Sequence, residues 1–212
     1  MALKLYLGSG ACSFVPHCLL EASGEAFEPV LVKLHRGEQN TSEYKTINPR
    51  GQVPVLVDDG QVITQIVAII CHLDERFPQM GFLPRSGLAR TRVLETLMWM
   101  NNTVHPTFTH IFMPFKFTDN AAAQAELKTY NTALYRGLLG ELQSLVQAAT
   151  AAGRSHLGGA GFGPLDAYTL TLTRWGTMAG IDPEGYPQLW AFVQRIATEP
   201  PVARAIERER LQ

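Results

Sequence analysis

The chain opens on an apolar stretch, Leu3 to Leu7, that predicts a short buried strand, and after the small-residue turn "GSGACS" a helical pattern starts at Phe14 and runs to Ser23. Further strands are predicted at Pro29 to Lys33, Val55 to Asp58 and Gln61 to Ile63, the last two joined by "DDG", a tight hairpin signal. Between and after them lie a short helix at Ser42 to Ile47 and a longer one at Gln65 to Phe77. Strand, helix, strand, helix, strand, strand, helix is the order of a small mixed sheet with helices on both faces. Beyond Ser86 nearly all of the pattern is helical: Leu88 to Phe117, Ala121 to Ala152, Leu165 to Met178, Leu189 to Thr198, and a short helix after Pro201. A glycine-rich loop, "GRSHLGGAGFGP", interrupts this series. The stretch "RFPQMGFLPRSG" carries two prolines and two glycines and reads as a linker, so two domains are expected, residues 1–80 and 86–212.

Composition narrows the class. With 212 residues, 46% of them hydrophobic, the chain can bury a substantial core. A formal net charge of -1 and a pI near 6.6 give no electrostatic reason to expect nucleic acid. The arginines at Arg90 and Arg92 and in the tail "IERERLQ" read as solvated faces. No apolar run reaches membrane-spanning length, and "MALKLYLG" is too short and too soon interrupted for a signal peptide, so a cytoplasmic protein is expected. Three cysteines without framework spacing fit a reducing compartment. No metal is expected: His105 and His110 fall on different helix faces, and no Cys/His cluster has zinc-ligand spacing.

Two local features carry chemistry. Cys12 and Ser13 fall at a helix amino terminus, where unpaired N–H groups and the helix dipole favour a thiolate. The alternative for Cys12 is a small apolar residue packed under the first helix. Val15 stands where a second cysteine would complete a dithiol, so internal disulfide cycling is disfavoured. Pro54 opens a strand although it cannot donate to a ladder, which leaves a trans proline at an edge or a cis Val53–Pro54 bond that turns the Val53 backbone outward to an extended ligand. Cys18, Cys71, His17 and His72 lie in apolar helical runs and read as core.

Taken together and in order, "GACSFVPH", "INPRGQVPVL", "VITQIVAIICHL", "GPLDAYTLTLTRW" and "AFVQRIATEPPV" resemble the cytosolic glutathione transferases, most closely the bacterial beta class. The resemblance implies a thioredoxin-like α/β amino-terminal domain that binds glutathione as co-substrate and an all-α carboxy-terminal bundle that contributes a hydrophobic pocket. It implies a homodimer, a detoxification role and a cis Pro54. By the same resemblance Cys12 meets the glutathione sulfur, Ser13 donates to it and His105 polarises the site. Gln52, Val53 and Pro54 match the strand that pairs with the cysteinyl part, Arg36 a basic contact to the glycyl end, Gln65 and Ile66 the γ-glutamyl site, and Asn101 a further polar contact. The aromatic run "FTHIFMPFKF", with Phe108 and Phe112, could form the acceptor pocket with Phe14 and Trp175. A packing seam is the competing reading.

Several positions depart from the family pattern. An acidic residue followed by Ser or Gly is usual where this chain has Gln65 and Ile66, so the hydroxyl is gone and the acid is a neutral amide. Loss of one hydrogen bond to a charged group costs about 1.5–3 kcal/mol, or roughly one to two decades in affinity. The Ser/Thr-x-x-Asp capping motif reads Gly163, Pro164, Leu165, Asp166, and Pro106 stands beside His105 where a lysine is usual, which biases the helix to kink or break there. The expected function is therefore glutathione conjugation to a small electrophile or glutathione-dependent thiol-disulfide exchange. The alternatives are a non-catalytic binding protein of the same fold, or an enzyme that uses a different thiol.

Overall fold

A computed structural model describes residues 3–159 and 161–211. The first two residues of the expected non-signal start, Ala160 of the glycine-rich loop and Gln212 of the tail lie outside the described residues. The amino-terminal part is a four-stranded sheet in the order β2-β1-β3-β4, with β1 Leu3–Leu7, β2 Phe27–Leu31, β3 Val55–Asp58 and β4 Gln61–Thr64. β1 pairs parallel with β2 and antiparallel with β3, and β3 pairs antiparallel with β4. In the hairpin the central residues Asp59 and Gly60 both have positive φ, 50° and 80°, as a two-residue primed turn requires.

The pleat sorts the side chains into two layers. Leu3, Leu5, Leu7 and Leu56 face the main core under α1 (Phe14–Ser23) and α3 (Ile66–Arg76). Tyr6, Val55 and Val57 point to the opposite face, where Tyr44 of α2 (Ser42–Ile47) covers them, its ring edge-on to Tyr6 at 6.0 Å. β2 starts two residues earlier than the sequence pattern suggests. It is an edge strand, so Pro29 opposite Leu5 needs no second ladder partner, and Glu28 on the outer rim pairs with Lys4 at 3.1 Å.

Helices fill the remainder. α4 spans Gly87–Trp99, a π turn Met100–Val104 follows, and α5 runs His105–Phe112. The expected kink at Pro106 takes this form: a widened turn lets the helix pass a residue that lacks an N–H and crowds the carbonyl one turn back. α5 ends before Pro114, where a short 3-10 turn Pro114–Lys116 interrupts the expected run to Phe117. α6 (Ala121–Ala151) is capped by Asn120, whose side chain accepts from the Ala123 N–H. α7 (Pro164–Met178), α8 (Pro187–Ala197) and α9 (Pro200–Glu209) complete the bundle.

α7 is buried along most of its length and forms the axis of the helical part. Asp166 anchors its start by accepting from the Gly163 and Leu157 N–H groups, each at 2.8 Å, so the carboxylate half of the capping motif operates on a glycine. Burial raises the Asp166 carboxyl to about 6 against these hydrogen bonds. The stretch expected as a linker is not loose: Phe82 and Leu83 are buried, the Leu83 N–H donates to Asp74, and Arg90 pairs with the same carboxylate at 2.8 Å. Arg90 is thus a structural contact. Among the described residues no helix is long and apolar enough to cross a membrane.

Candidate active site

Strand register brings the singled-out residues to one end of the sheet. Tyr6 lies opposite Val55, Val55 opposite Thr64, and Leu7 opposite Leu31. The residues just beyond these pairs, namely the turn Gly8 to Ser13, Val53 and Pro54, Gln65 and Ile66, and the turn with Arg36, therefore leave the sheet at the same edge.

The thiol-bearing turn is held from several sides. The Ala11 N–H donates to the Gly8 carbonyl at 3.0 Å, and Gly10 turns the chain with φ +68°. The Gly10 N–H donates to Glu209 Oε2 at 2.8 Å, and its carbonyl accepts from the Trp175 indole at 2.9 Å. The Ser9 hydroxyl donates to the Glu209 carbonyl at 2.7 Å. Glu209 Oε1 meets His17 Nδ1 at 2.7 Å, while Glu21, 3.7 Å from His17 on its other side, pairs with Arg204 and Arg208. His17 is buried as expected, but within a charged network in place of an apolar core. The tail read as a solvated face supplies the buried Glu209.

Cys12 is partly buried just before α1, and its Sγ donates to the Val53 carbonyl at 3.6 Å. The Val53–Pro54 bond is cis. Val53 stands outside the ladder, because β3 begins at Val55, and the preceding Gln52 carbonyl is fixed by the Tyr44 hydroxyl and the Asn48 amide, both at 2.8 Å. Gly51 has φ +61°, and a Cβ there would lie 2.9 Å from the Gln39 carbonyl oxygen, so this approach to the strand needs glycine.

The expectation of a thiolate at Cys12 is corrected by its surroundings. Burial pushes the thiol up to about 12; its own N–H, that of Ser13 and the Lys116 charge only partly offset this, and Glu209 adds to it. Ser13 also differs from its expected role. It is fully buried, and its hydroxyl accepts from the Gly8 N–H at 3.0 Å and donates to the Gly8 carbonyl at 3.2 Å, so its one proton closes the turn.

At the start of α3, Gln65 is exposed with φ 73° and ψ 124°, a sparsely populated backbone region. The first helical hydrogen bond runs from the Ile69 N–H to the Gln65 carbonyl, so Ile66, Val67 and Ala68 offer N–H groups at a positive helix end. The Ile66 side chain is buried in the core. Arg36 is exposed on the short 3-10 turn Leu34–Arg36, and the Gln52 side chain is exposed beside Val53.

The helical part contributes His105, Asn101 and two residues that sequence reading missed or undervalued. The Tyr168 hydroxyl lies 2.9 Å from His105 Nδ1 and donates to Asn101 Oδ1 at 3.4 Å. Burial, reinforced by the Lys116 charge, lowers His105 to about 4, so the ring is neutral near pH 7. Among the described residues no hydrogen bond joins His105 to Cys12. Their link is Trp175, edge-on to His105 at 4.7 Å and bonded to the Gly10 carbonyl. Tyr168 sits in a helical stretch where nothing but the fold marks it as special.

The aromatic group divides. Phe108 stacks on Trp175 at 4.8 Å and on Phe112 at 5.5 Å, which makes a seam whose outer end, Phe112, is 53% exposed. Phe14 is fully buried under the sheet and lines no surface, which corrects its place in the expected pocket. His72, expected in the core, is partly exposed and pairs with Asp58 at 2.7 Å. Among the described residues no group of three or more His, Cys, Asp or Glu is placed to hold a metal ion.

Residues 1–75 match the family model "Glutathione S-transferase, N-terminal domain". Glutathione S-transferase GstA of Escherichia coli O157:H7 is 32% identical to this chain, covering 99% of it and 100% of the relative. This chain belongs to the glutathione S-transferase family. Among solved structures, a sphingomonad glutathione S-transferase complexed with glutathione superposes with a TM-score of 0.83 at 32% identity, covering 99% of this chain and 100% of that one. The bacterial beta class enzyme of Sphingomonas chungbukensis gives 0.84 at 31% identity, with the same coverage. The glutathione transferase fold is thus thioredoxin-like in its sheet and helical in its carboxy-terminal part.

Two outcomes follow from this geometry. Glu209→Ala strands the Gly10 N–H and His17, and should lower stability by about 3–5 kcal/mol in urea denaturation, with Glu209→Gln losing less because its amide oxygen still accepts from Gly10. Because the thiolate is the reactive form, iodoacetamide alkylation of Cys12, followed by peptide mass spectrometry, should be slow near neutral pH and still rising past about pH 10. A plateau near pH 7 would show a depressed thiol.

Proposed function

We propose that this family member binds glutathione in extended form beside Val53, at the end of the sheet, and either joins its sulfur to a small electrophile or exchanges it with Cys12. The supporting observation is the Cys12 thiol facing the Val53 carbonyl, which puts a sulfur beside an extended backbone segment that the ladder leaves open. In this reading the N–H groups from Ile66 onward and the exposed Gln65 take the γ-glutamyl carboxylate, while Arg36 takes the glycyl end. In conjugation, the glutathione thiol gives up its proton to water, the sulfur bonds to the electrophilic carbon and the leaving group departs, while neutral His105 polarises the site from the helical part. In exchange, Cys12 loses its proton to water, its sulfur attacks glutathione disulfide, the new sulfur–sulfur bond forms as the disulfide bond of glutathione breaks, and one glutathione leaves as thiolate. The high thiol value makes Cys12 a poor nucleophile until a bound partner changes its surroundings. Ser13 holds the turn, and Asn101 and Tyr168 orient His105.

The reading places the protein in the cytoplasm, consistent with its free cysteines, and makes it a homodimer with exposed Leu88 and Met98 on α4 and Tyr130 and Leu134 on α6 available for contact. A second reading, a binding protein or an enzyme with another thiol, is favoured by Ile66, whose buried side chain leaves no hydroxyl at the carboxylate position.

Cys12→Ser should abolish the glutathione adduct seen by intact mass after incubation with glutathione disulfide, with the melting temperature unchanged. An undiminished adduct would remove Cys12 from the chemistry. Turnover of glutathione with chlorodinitrobenzene distinguishes an enzyme from a binder.

A further inference from the structure

One cation at the cysteine turn has no part in the sulfur chemistry. Arg174 stands next to Trp175 on α7, and its Nη1 lies 3.7 Å from where a Cβ on Gly10 would stand, two residues ahead of Cys12. The residue is half-buried, and among the described residues its guanidinium makes no hydrogen bond and has no carboxylate within ion-pair distance. Five donors partly withdrawn from water without an acceptor are unusual in a folded protein. Burial lowers the guanidinium, and Glu209 offsets this only in part, its own carboxylate oxygens being taken by Gly10 and His17. A second cation serves the same region. Lys116 is exposed on the turn after α5, has no carboxylate within ion-pair distance among the described residues, and its charge acts on both Cys12 and His105. The turn is fixed by the Lys116 N–H donating to the Met113 carbonyl at 3.1 Å and by Phe117 stacked on His110 at 3.9 Å.

We propose that Arg174 determines specificity on the acceptor side, and that the acceptors preferred by this protein are aromatic electrophiles carrying a carboxylate. The acid sits on the Arg174 guanidinium and the ring lies along the cysteine turn, with Lys116 adding positive charge. Two residues of chain span at most about 7 Å, which a single substituted benzene ring bridges, so an acid held beside Gly10 leaves the reacting carbon within reach of a sulfur at Cys12. The planar fork of a guanidinium matches both oxygens of a carboxylate. Partial burial makes such a pair stronger than one on the open surface, no existing ion pair has to be broken, and the contribution of exposed Lys116 is sensitive to salt. The assignment to an acceptor rests on the transferase reading, while anion binding at Arg174 does not.

The test is calorimetric titration of 3,5-dinitrobenzoate and of neutral 3,5-dinitrobenzamide, without glutathione, into the wild-type protein and the variants Arg174→Gln, Arg174→Lys and Lys116→Gln, with melting temperatures as the check on folding. Wild type should prefer the acid by roughly tenfold at low ionic strength, Arg174→Gln should bring the two ligands to within about twofold, and Arg174→Lys, which keeps the charge and loses the fork, should fall between. Lys116→Gln should weaken the preference by about twofold. Bound dinitrobenzoate should also shield Cys12 from iodoacetamide at alkaline pH, a readout the wild type alone supplies. Equal affinity for acid and amide in the wild type, no binding of either, a preference that survives in folded Arg174→Gln, or binding that leaves Cys12 fully reactive would overturn the proposal. Turnover of 4-chloro-3,5-dinitrobenzoate and its amide, in which the glutathione sulfur bonds to the ring carbon as chloride leaves, is measured separately. Charge-selective binding that shields Cys12 without turnover of either compound would refute the transferase reading and leave the site standing, whereas turnover without charge preference would do the reverse.

Discussion

A single residue, Gly10, ties the two halves of this molecule to its chemistry through its N–H and its carbonyl. Its N–H is held by a carboxylate from the last helix and its carbonyl by an indole from the central one, Glu209 at 2.8 Å and Trp175 at 2.9 Å. Both bonds are formed across long stretches of chain, so the geometry of the cysteine turn is set by tertiary structure more than by its own sequence. Ser13 closes the same turn from inside. The result is a sulfur fixed against the Val53 carbonyl, ahead of β3, where an extended ligand can lie.

The electrostatics of the site are governed by burial. At Cys12 the N–H groups at the start of α1 favour the anion, yet removal from water outweighs them, and the nearby negative Glu209 acts in the same direction as burial. At His105 the same effect works on a cation and leaves a neutral ring with a free nitrogen. A neutral thiol and a neutral imidazole near neutral pH give a site in which neither group carries a charge. That arrangement suits a reaction in which the nucleophilic sulfur arrives with the ligand.

Much of the fold was legible because its signals are local. β1, β3, α1 and α2 stand where hydrophobic period and turn chemistry place them, and the Asp-Gly hairpin has the backbone its residues require. β2 was displaced by a proline that only an edge position tolerates. The site was read less completely. Cys12 and Val53 were visible through the turn and the proline, but the order of strengths at Cys12, burial against helix dipole, depends on packing that no window of sequence contains. Glu209 lay in a run of alternating charge whose appearance is that of a surface, and its partner Gly10 is far away in the chain. Tyr168 was one aromatic among the buried residues of α7. Phe14, expected in the acceptor pocket with Trp175, sits on the buried face of α1 and points into the core.

The most direct measurement is calorimetric titration of reduced glutathione into the reduced protein. The account predicts saturable binding between micromolar and low millimolar strength, carried by the open backbone at Val53 and the N–H groups at the start of α3. Absence of heat at two temperatures, with the protein shown to be folded at both, would contradict it.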